Sequence, residues 1–135
     1  MKIELFWLAL TILLTAMMWI PYILNAMMVW GILETMGYPE DPPPLAEWAQ
    51  RAKKAHANAI ENLVIFAPAV LLYAHLGEGA PSIDWAVMTY FFARLAHYII
   101  YILKIPYLRT LSFLTGWAMT VIIVVKAILL AQAGV

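Results

Sequence analysis

The chain has 135 residues, with 8 basic and 8 acidic side chains and a formal net charge of zero. Without a basic excess the sequence does not suit nucleic acid, and without cysteine it can have no disulfide, thiolate metal site or cysteine nucleophile. Charged residues make up only 12% of the chain and hydrophobic residues 65%. Soluble domains carry about 25% charged residues, so the composition indicates a membrane protein.

Four apolar stretches are long enough to cross a bilayer as helices, which takes roughly 20 residues each. We therefore predict an all-α fold, an integral membrane four-helix bundle that forms one domain over residues 1–135. The proline-rich segment "ETMGYPEDPPPLAEW" predicts a long first loop, whereas "GEGAPSID" and "KIPYLR" predict short turns. The predicted spans cover residues 5–33, 48–76, 83–103 and 107–131.

The distribution of basic residues predicts the orientation of the spans. The first and third connections and their flanks carry five bases: Arg51, Lys53, Lys54, Lys104 and Arg109. The opposite side has Lys2 and Lys126 near its ends. By the positive-inside rule, loops one and three face the cytoplasm and both termini lie on the other side. With its compact loops, the chain is expected in the inner membrane of a bacterium.

The second predicted helix begins with polar residues that share one face. At 100° per residue they fall within an arc of about 100°. The members of this row are Arg51, Lys54, Asn58, Glu61 and Asn62. His56 points the opposite way.

The third predicted helix repeats the pattern within an arc of about 80°. Its members are Tyr90, Arg94, His97, Tyr101 and Lys104. Arg94 is long enough to reach toward Glu61. Because a charge near mid-bilayer costs roughly 2.5–3.5 kcal/mol, both rows should face protein or a wet cavity. One interpretation is an ion pair with hydrogen-bonding residues between helices; a polar cavity open to the cytoplasm explains more of the residues.

Other kinds of site have weaker support. The chain has three histidines, but no pair has the spacing of metal ligands, so we expect no metal site. A small transporter is a further interpretation, although the one deep acid is in the second helix and no inverted repeat is visible.

Two segments resemble a known family. "RAKKAHANAIEN" is similar to the second-helix signature of the MAPEG superfamily, the membrane-associated proteins in eicosanoid and glutathione metabolism. That signature reads Arg-x-x-[Arg/Lys]-Ala-His/Gln-x-Asn-x-x-Glu. "RLAHYIIYILKIPYLR" resembles the third-helix stretch of the same family.

The resemblance implies a homotrimer that binds glutathione between neighbouring subunits, on the cytoplasmic side. It implies that Asn58 and Glu61 hold the peptide backbone and the amino group. Arg109 would stabilise the thiolate, with Arg94 and Tyr101 supporting it as catalytic residues. The remaining predicted glutathione contacts are Arg51, Lys54, Asn62, Tyr90 and His97.

The function implied is that of a glutathione transferase or peroxidase acting on lipophilic electrophiles dissolved in the membrane lipid, with glutathione as co-substrate. The alternative is a non-catalytic trimer that binds glutathione or another small anion. Two departures keep that alternative open. Active members carry an arginine near the end of the first helix, where this chain has Glu34, and some carry a tyrosine near the position of Phe113.

Overall fold

The structure is a computed structural model that describes residues 2–78 and 80–134. All regular secondary structure in this part of the chain is helical. The helices are α1 (Ile3–Met17), α2 (Trp19–Trp30), α3 (Ile32–Met36), α4 (Glu47–Leu76), α5 (Asp84–Ile102) and α6 (Leu108–Ala133). The all-α prediction is confirmed.

The first predicted span, residues 5–33, is divided in the structure. α1 ends at Met17 and α2 begins at Trp19, because Pro21 lacks an N–H and its ring crowds the carbonyl four residues earlier. The Tyr98 hydroxyl donates to the Met18 carbonyl at this break, at 2.8 Å. Gly31, with φ of 87°, ends α2, so the last residues of the predicted span form the short α3 instead.

Three helical segments among the described residues are long and apolar enough to cross a membrane: Ile3–Trp30, Glu47–Leu76 and Leu108–Ala133. They carry exposed leucines, isoleucines and valines along their length, which suits contact with lipid rather than water. α5 has 19 residues. It is not one of these three apolar segments, because its second half contains the polar residues Arg94 and His97.

α5 lies at the centre of the packing. It contacts α1, α4 and α6, and α4 also contacts α1, α2 and α6. Phe66 and Val70 of α4, Val87 and Tyr90 of α5 and Ile123 of α6 are buried in the shared core. The Phe66 and Tyr90 rings stack with centroids 3.5 Å apart.

The long loop after α3 returns to the start of α4 through two hydrogen bonds. The Asn25 side-chain oxygen accepts from the Ala46 N–H at 3.0 Å, which satisfies one of the backbone donors left free at a helix N-terminus. The Trp30 indole donates to the Pro43 carbonyl at 2.7 Å. These bonds fix the N-terminal turns of α4, where its polar residues begin.

Candidate functional site

The predicted polar residues of α4 and α5 lie toward one end of the molecule, which we call the basic end. This end comprises the first turns of α4, the end of α5 and the start of α6, and it carries five bases. They are Arg51, Lys53, Lys54, Lys104 and Arg109. Residues Arg51, Lys54, Asn58, Glu61 and Asn62 are called the α4 row below, and Tyr90, Arg94, His97, Tyr101 and Lys104 the α5 row.

The α5 row is buried over most of its length. Tyr90, Arg94 and His97 are 1%, 3% and 3% exposed. Gly116 of α6 packs beside two of them, and a Cβ placed there would be in ordinary van der Waals contact, 3.5 Å from Arg94 Cδ and 3.6 Å from the Tyr90 ring. A polar row on a helix at the centre of the packing is therefore enclosed by protein.

A chain of hydrogen bonds connects the two rows. Arg94 Nη2 donates to Asn58 Oδ1 at 2.7 Å, and Asn62 Nδ2 donates to the Asn58 carbonyl at 2.8 Å and to Asn58 Oδ1 at 3.3 Å. Since the Asn58 side-chain oxygen is occupied, its NH₂ group is the part that remains to donate to a ligand. We expected Arg94 to reach toward Glu61, but in the structure it contacts Asn58 instead.

A recess of about 280 Å³ opens beside this bridge, and we call it the inner recess. It is lined by Asn58, His97, Tyr101, Arg109, Thr110 and Phe113. His97 lines it with its ring, which contacts the rings of Tyr101 and Phe113 with centroids 5.6 and 6.3 Å away. The His97 Nδ1 is buried and has no hydrogen-bond partner among the described residues, which costs free energy.

Arg109 lies over Tyr101 at the edge of the inner recess. Its guanidinium carbon is 5.0 Å from the centroid of the Tyr101 ring, a cation–π distance. Arg109 is in the first turn of α6, where the helix dipole also favours an anion. The arrangement places positive charge over a tyrosine ring, in a recess that His97 also lines.

A second recess, of about 260 Å³, adjoins the same pair of side chains, and we call it the basic recess. It is lined by Arg51, Tyr101, Lys104, Ile105, Pro106 and Arg109. Arg51 Nε donates to the Ile102 carbonyl at 2.9 Å, which fixes the side chain against the end of α5. Arg51, predicted to bind glutathione, thus lines the basic recess rather than the inner one.

Five predicted residues line neither recess: Arg94, Lys54, Glu61, Asn62 and Tyr90. Lys54 and Glu61 are exposed on α4, and within residues 2–78 and 80–134 Glu61 forms no ion pair. Asn62 donates a hydrogen bond to the Asn58 carbonyl. Tyr90 lies deeper, stacked on Phe66. Among the predicted ligands Asn58, His97, Tyr101 and Arg109 therefore meet at the inner recess, and Arg94 meets them through Asn58.

Two lining residues of the inner recess, Thr110 and Phe113, were missed as ligand contacts. Phe113 is four residues after Arg109, so both lie on one face of a helix. This spacing could have indicated from the sequence that Phe113 contacts the same ligand as Arg109. For metals, no group of three or more His, Asp or Glu side chains in the described chain is placed to hold an ion.

Comparison with known families agrees with the motif resemblance. The family model described as "MAPEG family" matches residues 5–129. The chain belongs to the MAPEG family. Searches of curated proteins and of solved structures found no match. Family membership and the three apolar helical segments together identify a membrane protein.

Proposed function

We propose that this MAPEG protein is a membrane glutathione transferase or peroxidase that acts on lipophilic electrophiles and binds glutathione in the inner recess. The observation that carries the proposal is the composition of that recess. It combines the Asn58 amide, the His97 ring and Arg109 held over Tyr101. These groups match a peptide that offers amides, carboxylates and a thiol.

The proposed architecture is a four-helix bundle with α5 as the additional span, assembled as a homotrimer. Glu61 supports the assembly because it is exposed on α4 beside the exposed Ile60, Val64 and Ile65. A charge facing lipid in such a position costs roughly 2.5–3.5 kcal/mol. A neighbouring copy would cover this face and bring Glu61 and Lys54 to the glutathione ammonium and a carboxylate. The basic end would face the cytoplasm.

Arg109 and Tyr101 would stabilise the thiolate. A free thiol has a pKa of about 8.5, and lowering it to about 6.5 requires about 3 kcal/mol. A neighbouring guanidinium and a phenol hydroxyl can supply stabilisation of this size. Both groups lie at the inner recess, where the thiol of the bound peptide would meet them.

Each reaction then begins at the thiolate sulfur. In conjugation it attacks an electrophilic carbon, the C–S bond forms, and the leaving group departs with the bonding electrons. In peroxide reduction it attacks a hydroperoxide oxygen, the O–O bond breaks, and the alkoxide takes a proton to become an alcohol. The sulfenic acid formed on glutathione reacts with a second glutathione, which yields the disulfide and water.

Calorimetry and turnover test the proposal together. Glutathione should bind the micelle-solubilised wild-type protein, and Glu61→Gln should bind it about tenfold or more weakly because the ammonium loses its charged partner. Arg109→Ala should abolish conjugation of a chlorodinitrobenzene-type electrophile. Lys53→Met, at an exposed lysine of the same end, is the matched control. Absence of glutathione binding by the wild type would refute the proposal.

A non-catalytic glutathione-binding trimer is the second candidate. It is favoured by the acidic residue Glu34 and the lack of any base in α2 and α3, and by Phe113, which gives the recess a ring without a hydroxyl. Glutathione binding that depends on Glu61, without turnover of any electrophile or hydroperoxide, would select this candidate.

A further inference from the structure

The short helix α3 begins where the first apolar segment ends, and it lines neither the inner nor the basic recess. It follows Gly31 directly, after the apolar segment Ile3–Trp30. None of its five residues is buried, and it packs against α2. Three of its side chains form what we call the α3 apolar face: Ile32, Leu33 and Met36, which are 61%, 82% and 76% exposed. The described part of the chain leaves this face uncovered.

The polar side of α3 is turned away from this face. At 100° per residue, the three apolar side chains fall within an arc of about 100°. Glu34 lies about 150° from the centre of that arc. The Thr35 hydroxyl donates to the Gly31 carbonyl at 2.8 Å, so it is satisfied within the turn. α3 can therefore contact an apolar medium with one side while its carboxylate remains in water.

The α3 apolar face continues a row of exposed side chains on α2. Leu24 and Met28 of α2 are exposed, and together with Ile32 and Met36 they form a row spaced by four residues. α2 is part of the segment Ile3–Trp30, which is long and apolar enough to cross a membrane. In a membrane protein the exposed apolar side chains of such a segment contact lipid. The α3 apolar face therefore follows directly on a surface that lipid covers.

The ends of α3 place it at the surface of the bilayer rather than inside it. Gly31, with φ of 87°, ends the spanning-length helix just before α3. Trp30 and Tyr38 flank α3, and tryptophan and tyrosine are enriched where a membrane meets water. The Trp30 indole also donates to the Pro43 carbonyl at 2.7 Å, which keeps the returning loop close to the end of α2. These features put α3 at the level of the lipid head groups, at the basic end.

Charge cannot hold this segment on a membrane. Residues 3–50 contain no lysine, arginine or histidine, and the charged side chains between α2 and α4 are Glu34, Glu40 and Asp41. Since attraction to anionic head groups requires bases, apolar contact is what can hold α3 on lipid. We propose that the α3 apolar face inserts into the boundary between head groups and acyl chains, with Glu34 on the aqueous side. Interfacial helices bury their apolar side about 5–10 Å into this boundary.

Single fluorescent labels test the insertion in the full chain, which has no cysteine of its own. Met36→Cys and Glu34→Cys, each carrying the fluorophore NBD, are placed in phosphatidylcholine nanodiscs with a lipid that bears a nitroxide below its head group. The nitroxide should quench the label at position 36 about threefold more than the label at position 34, because only the former reaches the acyl chains. Iodide in the buffer should quench the two labels in the reverse order. Ile32→Cys, on the same face, should repeat the result at position 36.

Four outcomes would overturn the inference. Equal quenching of the two labels by the lipid nitroxide would show that α3 has no inserted side. A label at position 36 that iodide reaches and the nitroxide does not would show a loop in water. Protection of that label from both quenchers would show cover by protein, such as a second copy of this chain. Nitroxide quenching that appears only when phosphatidylglycerol is added would show attachment by charge. Because no step uses glutathione, failure of the proposed transferase or peroxidase activity would leave these results unchanged.

Discussion

The polar rows on α4 and α5 differ in what surrounds them. Tyr90, Arg94 and His97 of the α5 row are buried between neighbouring helices, whereas Lys54 and Glu61 of the α4 row are exposed. α4 turns a face of small residues inward instead, since Ala49, Ala52, Ala55 and Ala59 are all buried. The two rows therefore contribute differently: one supplies fixed groups from within the protein, and the other offers groups to a ligand or a second copy.

The difference is greatest in hydrogen bonding. Within residues 2–78 and 80–134, three buried side-chain polar atoms have no hydrogen-bond partner, and all belong to the α5 row: Tyr90 Oη, Arg94 Nε and His97 Nδ1. The α4 row contributes the Asn62–Asn58 pair that receives Arg94. The α5 row therefore keeps unused hydrogen-bonding capacity inside the protein, whereas the Asn62–Asn58 pair of the α4 row is satisfied and positions the Arg94 side chain. Changing one row should thus affect different properties from changing the other.

The largest effect is expected for Phe66→Ala, which removes the ring that supports the base of the α5 row. It should lower the free energy of unfolding by about 3–5 kcal/mol, because a buried aromatic side chain is replaced by a cavity. Titration of the micelle-solubilised protein with sodium dodecyl sulfate, followed by circular dichroism, measures it. Leu129 of α6, 59% exposed, is the control; Leu129→Ala should change stability by no more than about 0.5 kcal/mol. Equal losses would contradict the inside–outside difference.

Arg94→Met should weaken glutathione binding by about 10- to 100-fold. The Arg94 guanidinium holds the Asn58 side-chain oxygen, and hydrogen bonds to charged groups contribute about 1.5–3 kcal/mol. Folding stability should change little, because an apolar side chain of similar length can replace a buried charge without a large cost. Calorimetry with glutathione measures the affinity, with Arg94→Lys expected between wild type and Arg94→Met. Unchanged affinity in Arg94→Met would show that the bridge does not position Asn58.

Sequence patterns predicted the all-α fold and the burial of part of the α5 row. The 3.6-residue period placed Tyr90, Arg94 and His97 on one face, and the cost of a charge in lipid predicted that this face is enclosed. The burial of all three confirms the enclosure. The period also grouped Asn58 and Asn62, which hydrogen-bond to each other.

The helical period could predict neither the hydrogen-bond partner of Arg94 nor the basic recess. A helical wheel gives direction but not the rotation of one helix against the next, so it could not show whether Arg94 meets Glu61 or Asn58. The buried alanines of α4 pack against neighbouring helices, and Glu61 lies on the opposite side of the helical wheel, so Glu61 is at the surface. The basic recess depends on a left-handed backbone at Lys104 and Tyr107, and nothing in "KIPYLR" specifies that conformation at non-glycine residues.

Ala55→Leu tests the inward face of α4. Ala55 is fully buried, and extra methylenes in a packed interior cost about 1–3 kcal/mol. Ala16→Leu, at an exposed position of α1, makes the same chemical change where there is room and should alter stability by no more than about 0.5 kcal/mol. The same unfolding titration compares them. Equal losses in the two variants would contradict close packing on the inward face of α4.

The smallest effect is expected for Tyr90→Phe, which tests the free hydrogen-bonding capacity of the α5 row. The Tyr90 hydroxyl is buried without a partner among the described residues, and an unsatisfied buried group carries a cost of about 1–3 kcal/mol. Its removal should leave stability unchanged or raise it by up to about 1 kcal/mol. Tyr98→Phe makes the same change on the same helix, where the hydroxyl donates to the Met18 carbonyl at 2.8 Å.

Loss of the Tyr98 hydrogen bond should lower the free energy of unfolding by about 1 kcal/mol. The changes in this free energy for Tyr90→Phe and Tyr98→Phe should therefore differ in sign or clearly in size. Because both lose one hydroxyl from a tyrosine of α5, the difference between them isolates hydrogen bonding from ring packing. A loss at Tyr90 equal to that at Tyr98 would mean that the Tyr90 hydroxyl has a partner from outside this chain. The Tyr90 hydroxyl would then be hydrogen-bonded before any glutathione binds. His97, which lines the inner recess, would remain an α5-row residue placed to contact a ligand.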